Sequence, residues 1–451
     1  MHQNLFKALF LLKYNVIKPN LIKTIKRVWQ NQYMSKDQLM EMQQSKVKNI
    51  LNHAYNNTLF YKRKFDEAGF HPDFFHDLKD IEKIPILKKE EIKSRGDSMM
   101  AKNLPEMRAE SVNTGGTTGI PMKLYRDAGA KDLMTALYSR TRRLYGCDIG
   151  TKTAWIWGLA KPEEYRDFRQ NNFKLQFLKN TAWFNAFDMT AKSMSQFARF
   201  SFQFKAELII GYVSSLFELA LFFKANNLKL YTPKAIWLTA EPVDNVQRRT
   251  IESVFKCPTF SQYGSSEILH IATECSAHQG LHIHADSRYV EVIDSKGNSS
   301  GPDEIGYIVV TDLENYVMPI IRYKNDDMSS FMNEQGCDCG STFPKLNPIV
   351  GRVYNVFKLR SGKQIYGHMF SKKMFNYVKE IQQFQIHQTS YEEVDVFIVP
   401  GIVEDRSNLI KELQEYFESY TGKEVRYNFH FVDNIEREKS GKLLYTKSDV
   451  K

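Results

Sequence analysis

Between about residues 130 and 260, short apolar runs alternate with helical patterns. That alternation limits the fold more than any other feature of the chain. "TAWIW", "AELIIGY" and "KAIWLTAE" read as strands, whereas "SSLFELALFFKANN" and "NVQRRTIESVF" read as helices. Strands that alternate with helices are joined by crossovers, so they line up parallel in one sheet. The expectation is an α/β fold with a mostly parallel sheet.

The flanks read differently. Residues 37 to about 100 show Leu39, Met42, Val47, Ile50 and Leu51 near helical spacing behind a Ser35 cap. Pro85 and the lysine-rich "LKKEEIKSRGD" end that helical opening. Residues 111–130 look like strand, glycine loop, strand. "YVEVID", "GYIVVTDL" and "PIIRY" are β-rich pieces between 282 and 335. After "VGRVYN", the segments "VDVFIVP", "NLIKELQEYFESY" and "VRYNFHFV" form a small α+β unit of about a hundred residues. We expect a large multi-subdomain domain over 1–352, helical over about 1–100, and a small domain over 353–451.

No stretch approaches the roughly 20 apolar residues of a membrane span. "LFKALFLLKY" is short, interrupted by Lys7 and Lys13, and followed by no small-residue cleavage site, so no secretory signal is expected. Five cysteines scattered over 451 residues fit a reducing, cytoplasmic setting rather than a disulfide framework. Formal charge is +10, and the first 36 residues contain no acid. "NLIKTIKRVW" within them reads as a basic amphipathic helix packed on the body. The sharper alternative is peripheral contact with an anionic inner-membrane surface. A basic, zinc-containing nucleic-acid-binding protein is the reading from another class. No RNA- or DNA-recognition motif accompanies the charge, so no nucleic-acid partner is expected.

Four segments carry chemistry. "SVNTGGTTGIPMKLYRD" lacks the lysine of a Walker loop and the spacing of a dinucleotide fingerprint. Its amides and the hydroxyls of Thr114, Thr117 and Thr118 can hold phosphate, or the loop is a glycine-rich hairpin with no ligand. "FSQYGSSEI" places Tyr263, Ser265, Ser266 and Glu267 at a strand end, where hydroxyls and a carboxylate suit phosphate with Mg²⁺. The plainer reading is a turn and cap. "IIRYKNDDM" offers Asp326 and Asp327 for ribose hydroxyls, or a solvated turn. "EREKSGKLLYT" contains Lys442, which alone would be a surface lysine. Separately, Cys275, Cys337 and Cys339 with a histidine of "SAHQGLHIH" could form a tetrahedral zinc site, or be two surface thiols and a buried one. Cys147 and Cys257 read as core residues.

Taken in order, "TGGTTGIP", "TAEP", "YGSSE", "RYKNDD", "GR" and "SGK" resemble the signature motifs of adenylate-forming enzymes, which include acyl-coenzyme A synthetases, nonribosomal adenylation domains and luciferases. The closer resemblance is to the phenylacetate–coenzyme A ligase branch, especially its CapK-like relatives encoded with capsular polysaccharide genes. "HAYNNTLFYKRKFDEAGFHP", "DIEKIPILKKEEI" and "GYVSSLFELA" are similar to segments of that branch.

The resemblance implies a cytoplasmic ligase that uses ATP and Mg²⁺ to activate a small carboxylate as an acyl-adenylate. The acyl group then passes to coenzyme A, or to an amine or hydroxyl of a saccharide or carrier. By the same match Gly116, Thr117, Thr118 and Gly119 hold the β- and γ-phosphates. Ala240 and Glu241 line the adenine pocket, with Tyr263 against the base. Gly264 and Ser265 belong to the same nucleotide-binding motif, Ser266 contacts the α-phosphate, and Glu267 holds Mg²⁺. Asp327 takes the ribose hydroxyls, Arg352 lies near ribose and phosphate, and Lys442 bridges carboxylate and α-phosphate from a mobile C-terminal domain. Cys275, His282, Cys337 and Cys339 are the implied zinc ligands, with His278 and His284 as alternatives. The chain departs from the pattern at Gly115, at Asn325-Asp326, where Thr-Gly is usual, and at Tyr354-Asn355. A catalytically degenerate nucleotide-binding member is therefore a further alternative.

Overall fold

The computed structural model describes residues 3–103, 109–113, 122–158, 180–333, 336–352, 356–438 and 442–450. The chain divides into two compact units, Met1–Thr151 with Phe260–Ile349, and Lys152–Thr259 with Val350–Lys451.

The first unit opens with helices α1 (Gln3–Ile17), α2 (Pro19–Asn31), α3 (Lys36–Asn57), α4 (Leu59–Glu67) and α5 (Lys89–Arg95), and later adds α6 (Ala128–Leu144). Ser35 caps α3 as expected. Its hydroxyl accepts from Gln38 N–H while the Gln38 side chain accepts from Ser35 N–H. Such a cap is worth about 1 kcal/mol. Leu39, Val47, Ile50 and Leu51 of α3 are buried against Ile308, Val310, Ile320 and Ile321. The strands Arg288–Ile293, Gly306–Asp312 and Tyr323–Ser329 form an antiparallel meander. A second antiparallel run joins residues 260–263 to Ala272–Glu274, Leu281–Ile283 and Lys345–Leu346. Glu110–Asn113 pairs antiparallel with Lys123–Arg126, so the flanks of the glycine loop are strands, as read.

"PIIRY" is not itself a strand. Pro319 to Ile321 supply core, and Arg322 turns left-handed at φ 51°. The strand begins at Tyr323 and runs through the polar "YKNDDMS".

The second unit contains the parallel sheet. Thr181–Asn185, Thr153–Trp157, Leu208–Tyr212 and Ala235–Thr239 lie side by side in that order, all parallel. Helices α7 (Ala191–Phe204), α8 (Val213–Ala225) and α9 (Asn245–Phe255) connect them or follow them. The tail adds α10 (Gly367–Met374), α11 (Arg406–Thr421) and a four-stranded sheet. There Ile381–Gln388 and Glu393–Pro400 are antiparallel, with Arg426–Phe431 and Thr446–Ser448 added parallel at the edges. Phe217 and Phe223 share one core with Phe370, Phe384 and Phe417 of the tail. Phe217 meets Phe375 edge to face at 5.7 Å.

Candidate active site

Asp327 sits where the meander is interrupted. Val309 pairs with Lys324 and Tyr307 with Met328, so residues 325–327 face a single residue across the ladder. The surplus is pushed out as a bulge, which re-aims its side chains. Asp326 makes the bend at φ 64°, the left-handed conformation that glycine adopts without strain. This is the position where the resembling family carries glycine.

The bulge clamps Asp327. Tyr263 donates its hydroxyl to Asp327 Oδ2 at 3.0 Å, and Asn325 Nδ2 donates to the same oxygen at 3.0 Å. Asn325 Nδ2 also reaches the Tyr263 hydroxyl at 2.6 Å, and its Oδ1 accepts from Asp327 N–H at 3.2 Å. Asn325 looked like a departure in the sequence. Here it orients the carboxylate.

"YGSSE" forms a tight turn after the strand. A Cβ on Gly264 would lie 2.9 Å from both Gln262 Nε2 and His270 N, so only glycine fits. Ser265 Oγ accepts from Ile268 N–H at 3.1 Å, which makes Ser265 the cap of the turn, while Ser266 is exposed. Glu267 is 7% exposed, with Lys89 Nζ at 4.0 Å. Tyr323 hydrogen-bonds the Glu267 side chain; burial, then the Glu267 charge, pushes this phenol far above its ordinary value. It therefore stays protonated and donates. Arg126, which sequence reasoning assigned no role, donates to the carbonyls of Ser266 at 2.6 Å and Glu267 at 3.2 Å. Nothing in its sequence neighbourhood distinguished it from other basic residues beside the glycine loop.

Thr114, Gly116, Thr117, Thr118 and Gly119 lie outside the described residues, as do Gly115 and Tyr354 and the side chain of Arg352.

In the second unit, Glu241 and Lys442 are neighbours. Ala240 is left-handed at φ 69° and turns the chain so that Glu241 faces the start of α8. Ser214 donates its N–H to Oε2 at 2.7 Å and its hydroxyl to Oε1 at 2.9 Å. Burial raises the Glu241 pKa, opposed by the Ser214 N–H and by the charges of Lys442 and Arg437. Lys442 Nζ stands 5.7 Å from the Tyr212 ring centroid, and Arg437 pairs with Glu218. Trp155 stacks on Trp183 at 5.1 Å, and Trp157 meets Tyr212 at 4.5 Å. Register and alternation put these four rings on one face of the parallel sheet, whereas Phe184 is on the other face, in the core.

A third cluster lies in the first unit. One donor atom each from Cys275, His282, Cys337 and Cys339 falls within 4.8 Å of the others. Cys275 Sγ is 3.5 Å from Cys337 Sγ, and Cys339 Sγ is 3.4 Å from His282 Nε2. A tetrahedron with Zn–S of about 2.3 Å has S···S edges of about 3.8 Å, so the donors fit such an ion with small adjustment. The His282 Nδ1–H donates to the Phe343 carbonyl at 3.1 Å, leaving Nε2 with its lone pair toward the thiols. Burial pushes the Cys275 thiol up to about 12, and a bound cation is what would make it a thiolate. Neither alternative ligand, His278 or His284, belongs to this group of four. His278 Nδ1 bonds Glu274 at 3.0 Å, and His284 Nδ1 meets Arg140 at 2.7 Å beside the buried Arg140–Asp286 pair.

Residues 359–449 match the CapK C-terminal domain family. The chain is 23% identical over 418 residues to Protein CapK of Staphylococcus aureus, covering 92% of this chain and 90% of that protein. It is 25% identical over 372 residues to the phenylacetate–coenzyme A ligase of Thermus thermophilus, covering 78% and 79%. A solved 2-hydroxyisobutyryl-CoA ligase in complex with 2-HIB-AMP shares the fold at a TM-score of 0.75 and 17% identity, over 93% of this chain and 91% of that one. The homologues of the chain are CapK and phenylacetate–coenzyme A ligases, and its α/β fold is that of adenylate-forming ligases.

Proposed function

We propose that the chain is an ATP-dependent, AMP-forming carboxylate ligase. The observation that carries this reading is the clamp on Asp327. A buried carboxylate oriented by a phenol and an amide, at the end of a bulge, is a ready acceptor for two ribose hydroxyls. The homologues support the same reaction class.

Asp327 would fix the ribose and Glu267 would hold Mg²⁺, which supplies charge neutralisation at the phosphates. Thr114 and Gly116 to Gly119 would take the β- and γ-phosphates, with Arg352 near the ribose and phosphate. Ala240 and Glu241 would border the adenine. The substrate carboxylate attacks the α-phosphorus, the bond to the β-phosphate oxygen breaks, and pyrophosphate leaves. Lys442, carried on a mobile tail over 353–451, would meet the negative charge that grows at the α-phosphate. A cation that binds this charge more strongly in the transition state than in the ground state accelerates the step. An acceptor nucleophile then attacks the acyl carbonyl, loses its proton, and AMP departs. The Trp155, Trp157 and Trp183 face offers apolar surface for the acyl group.

We favour an amine or hydroxyl of a saccharide or carrier as acceptor, because the resemblance to the capsule-associated relatives is closest at "NTGGTTGIPMKLYRD" and in the N-terminal helices. Coenzyme A is the second reading, favoured by the phenylacetate–coenzyme A ligase relatives. Counting AMP formed against thiol consumed separates them. The ligase reading itself is tested by carboxylate-dependent ATP–pyrophosphate exchange across aryl acids, amino acids and small hydroxy acids; ATP binding with no exchange on any acid would mark a degenerate member. The Cys275, His282, Cys337 and Cys339 cluster would hold a structural zinc ion.

A further inference from the structure

We propose that α1 is a lipid-binding helix that seats the protein on an anionic bilayer surface, lying in its plane. The inference is independent of the ligase reading. Sequence alone pointed to "NLIKTIKRVW", which falls in α2. That helix has spent its apolar face, because Leu21, Ile22, Ile25 and Val28 are buried against Leu133, Ala136 and Leu137 of α6. The first helix has two apolar faces. Phe6, Phe10, Leu11 and Tyr14 pack on that same cluster. On the other side Leu5, Leu9, Leu12 and Val16 are 54%, 49%, 72% and 80% exposed.

The spacing of those four residues is what makes them a surface. At about 100° per residue, positions 5, 9, 12 and 16 fall within about 60° of one another, opposite the packed face. They form one stripe about 16 Å long. A lone exposed leucine is ordinary, but a continuous stripe marks a binding surface.

Charge identifies the occupant. The first 36 residues hold Lys7, Lys13, Lys18, Lys23, Lys26, Arg27 and Lys36 and no acid. Lys7, Lys18 and Arg27 pair with Asp148, Asp132 and Glu314 of the body. Lys13 borders the stripe, and Lys23 and Lys26 are exposed on α2. Pairing two copies through this stripe would bring two acid-free segments together, whereas an anionic lipid surface offers opposite charge beside apolar chains. No described helix is long and apolar enough to cross a membrane, and α1 has 15 residues, about 22 Å, against a hydrocarbon core of about 30 Å.

The test uses the full chain and sedimentation with two kinds of vesicle. One is phosphatidylcholine with phosphatidylglycerol, the other phosphatidylcholine alone. The protein should partition onto the anionic vesicles at least about tenfold more strongly, and added salt should weaken this. The triple change Leu9→Ser, Leu12→Ser and Val16→Ser should leave the melting temperature in place and cut partitioning at least about tenfold. Lys13→Glu, Lys23→Glu and Lys26→Glu together should remove the preference for phosphatidylglycerol. Wild-type protein that ignores anionic vesicles at low salt would overturn the proposal, as would a triple-serine variant that binds unchanged. A concentration-dependent dimer that the serine variant abolishes, with no vesicle binding, would overturn it too and make the stripe a face between copies.

Discussion

The Asn325 side-chain amide lies 2.6 Å from the Tyr263 hydroxyl, and both donate to Asp327 Oδ2 at 3.0 Å. Two donors on one carboxylate oxygen hold it in one orientation. Tyr263→Phe or Asn325→Ala should each cost about 1–2 kcal/mol of ATP affinity, because each removes a hydrogen bond to a buried charge. The double variant should cost less than the sum, since the two donors also contact each other. Titration calorimetry with ATP checks both points. Unchanged affinity in both single variants would detach the clamp from nucleotide binding.

Asp326 gives a second prediction. A left-handed non-glycine residue costs roughly 1 kcal/mol, although aspartate tolerates the conformation better than most. Asp326→Gly should therefore raise the urea midpoint by an amount equivalent to a few tenths of a kcal/mol up to about 1 kcal/mol. A β-branched residue resists φ 64° far more, so Asp326→Val should lower the midpoint. Equal midpoints for glycine and valine would show that the bulge relaxes freely.

How far the sequence reveals this site depends on the residue. The parallel strands were legible because their apolar runs are continuous, and Ser35 was legible because a cap followed by glutamine is a local signal. Thr181–Asn185 was not, although it pairs residue for residue with Thr153–Trp157. Its two aromatic rings serve equally well in a strand, a core or a pocket. "YKNDDMS" was not legible as a strand, because polar residues at a bulge follow neither the strand nor the helix period. Arg126 acts on two carbonyls some 140 residues away, and no local pattern encodes that. The residues alone left the cysteine and histidine cluster open between a zinc site and plain thiols, and only the resemblance singled out His282, because the donors come from segments some sixty residues apart.

That cluster yields a third prediction. Purified protein should carry about one zinc ion per chain, and a chelator should lower the melting temperature. Cys337→Ser should lose most of the metal, because serine is a poor zinc ligand at neutral pH. His278→Ala should keep it, since His278 is bonded to Glu274 and stacked on Phe260 at 5.0 Å. Substoichiometric zinc, with no change in melting under chelator, would end the zinc assignment.

The fourth prediction concerns Lys442. Its ammonium stands over the Tyr212 ring and within the field of Glu241, whose pKa burial raises and Lys442 lowers. Removing the lysine should therefore be felt in two places. Lys442→Ala should reduce carboxylate-dependent ATP–pyrophosphate exchange by at least about a hundredfold, the scale for losing one group aimed at transition-state charge. ATP affinity should change little, because Asp327 and Tyr263 are untouched. Glu241 should also become harder to ionise without the opposing charge. Lys442→Arg keeps the charge but not the compact ammonium, so it should rescue Glu241 ionisation more than exchange. Exchange that survives in Lys442→Ala would remove this residue from the chemistry. Its place would then be explained by the ion pairs and rings of the second unit alone.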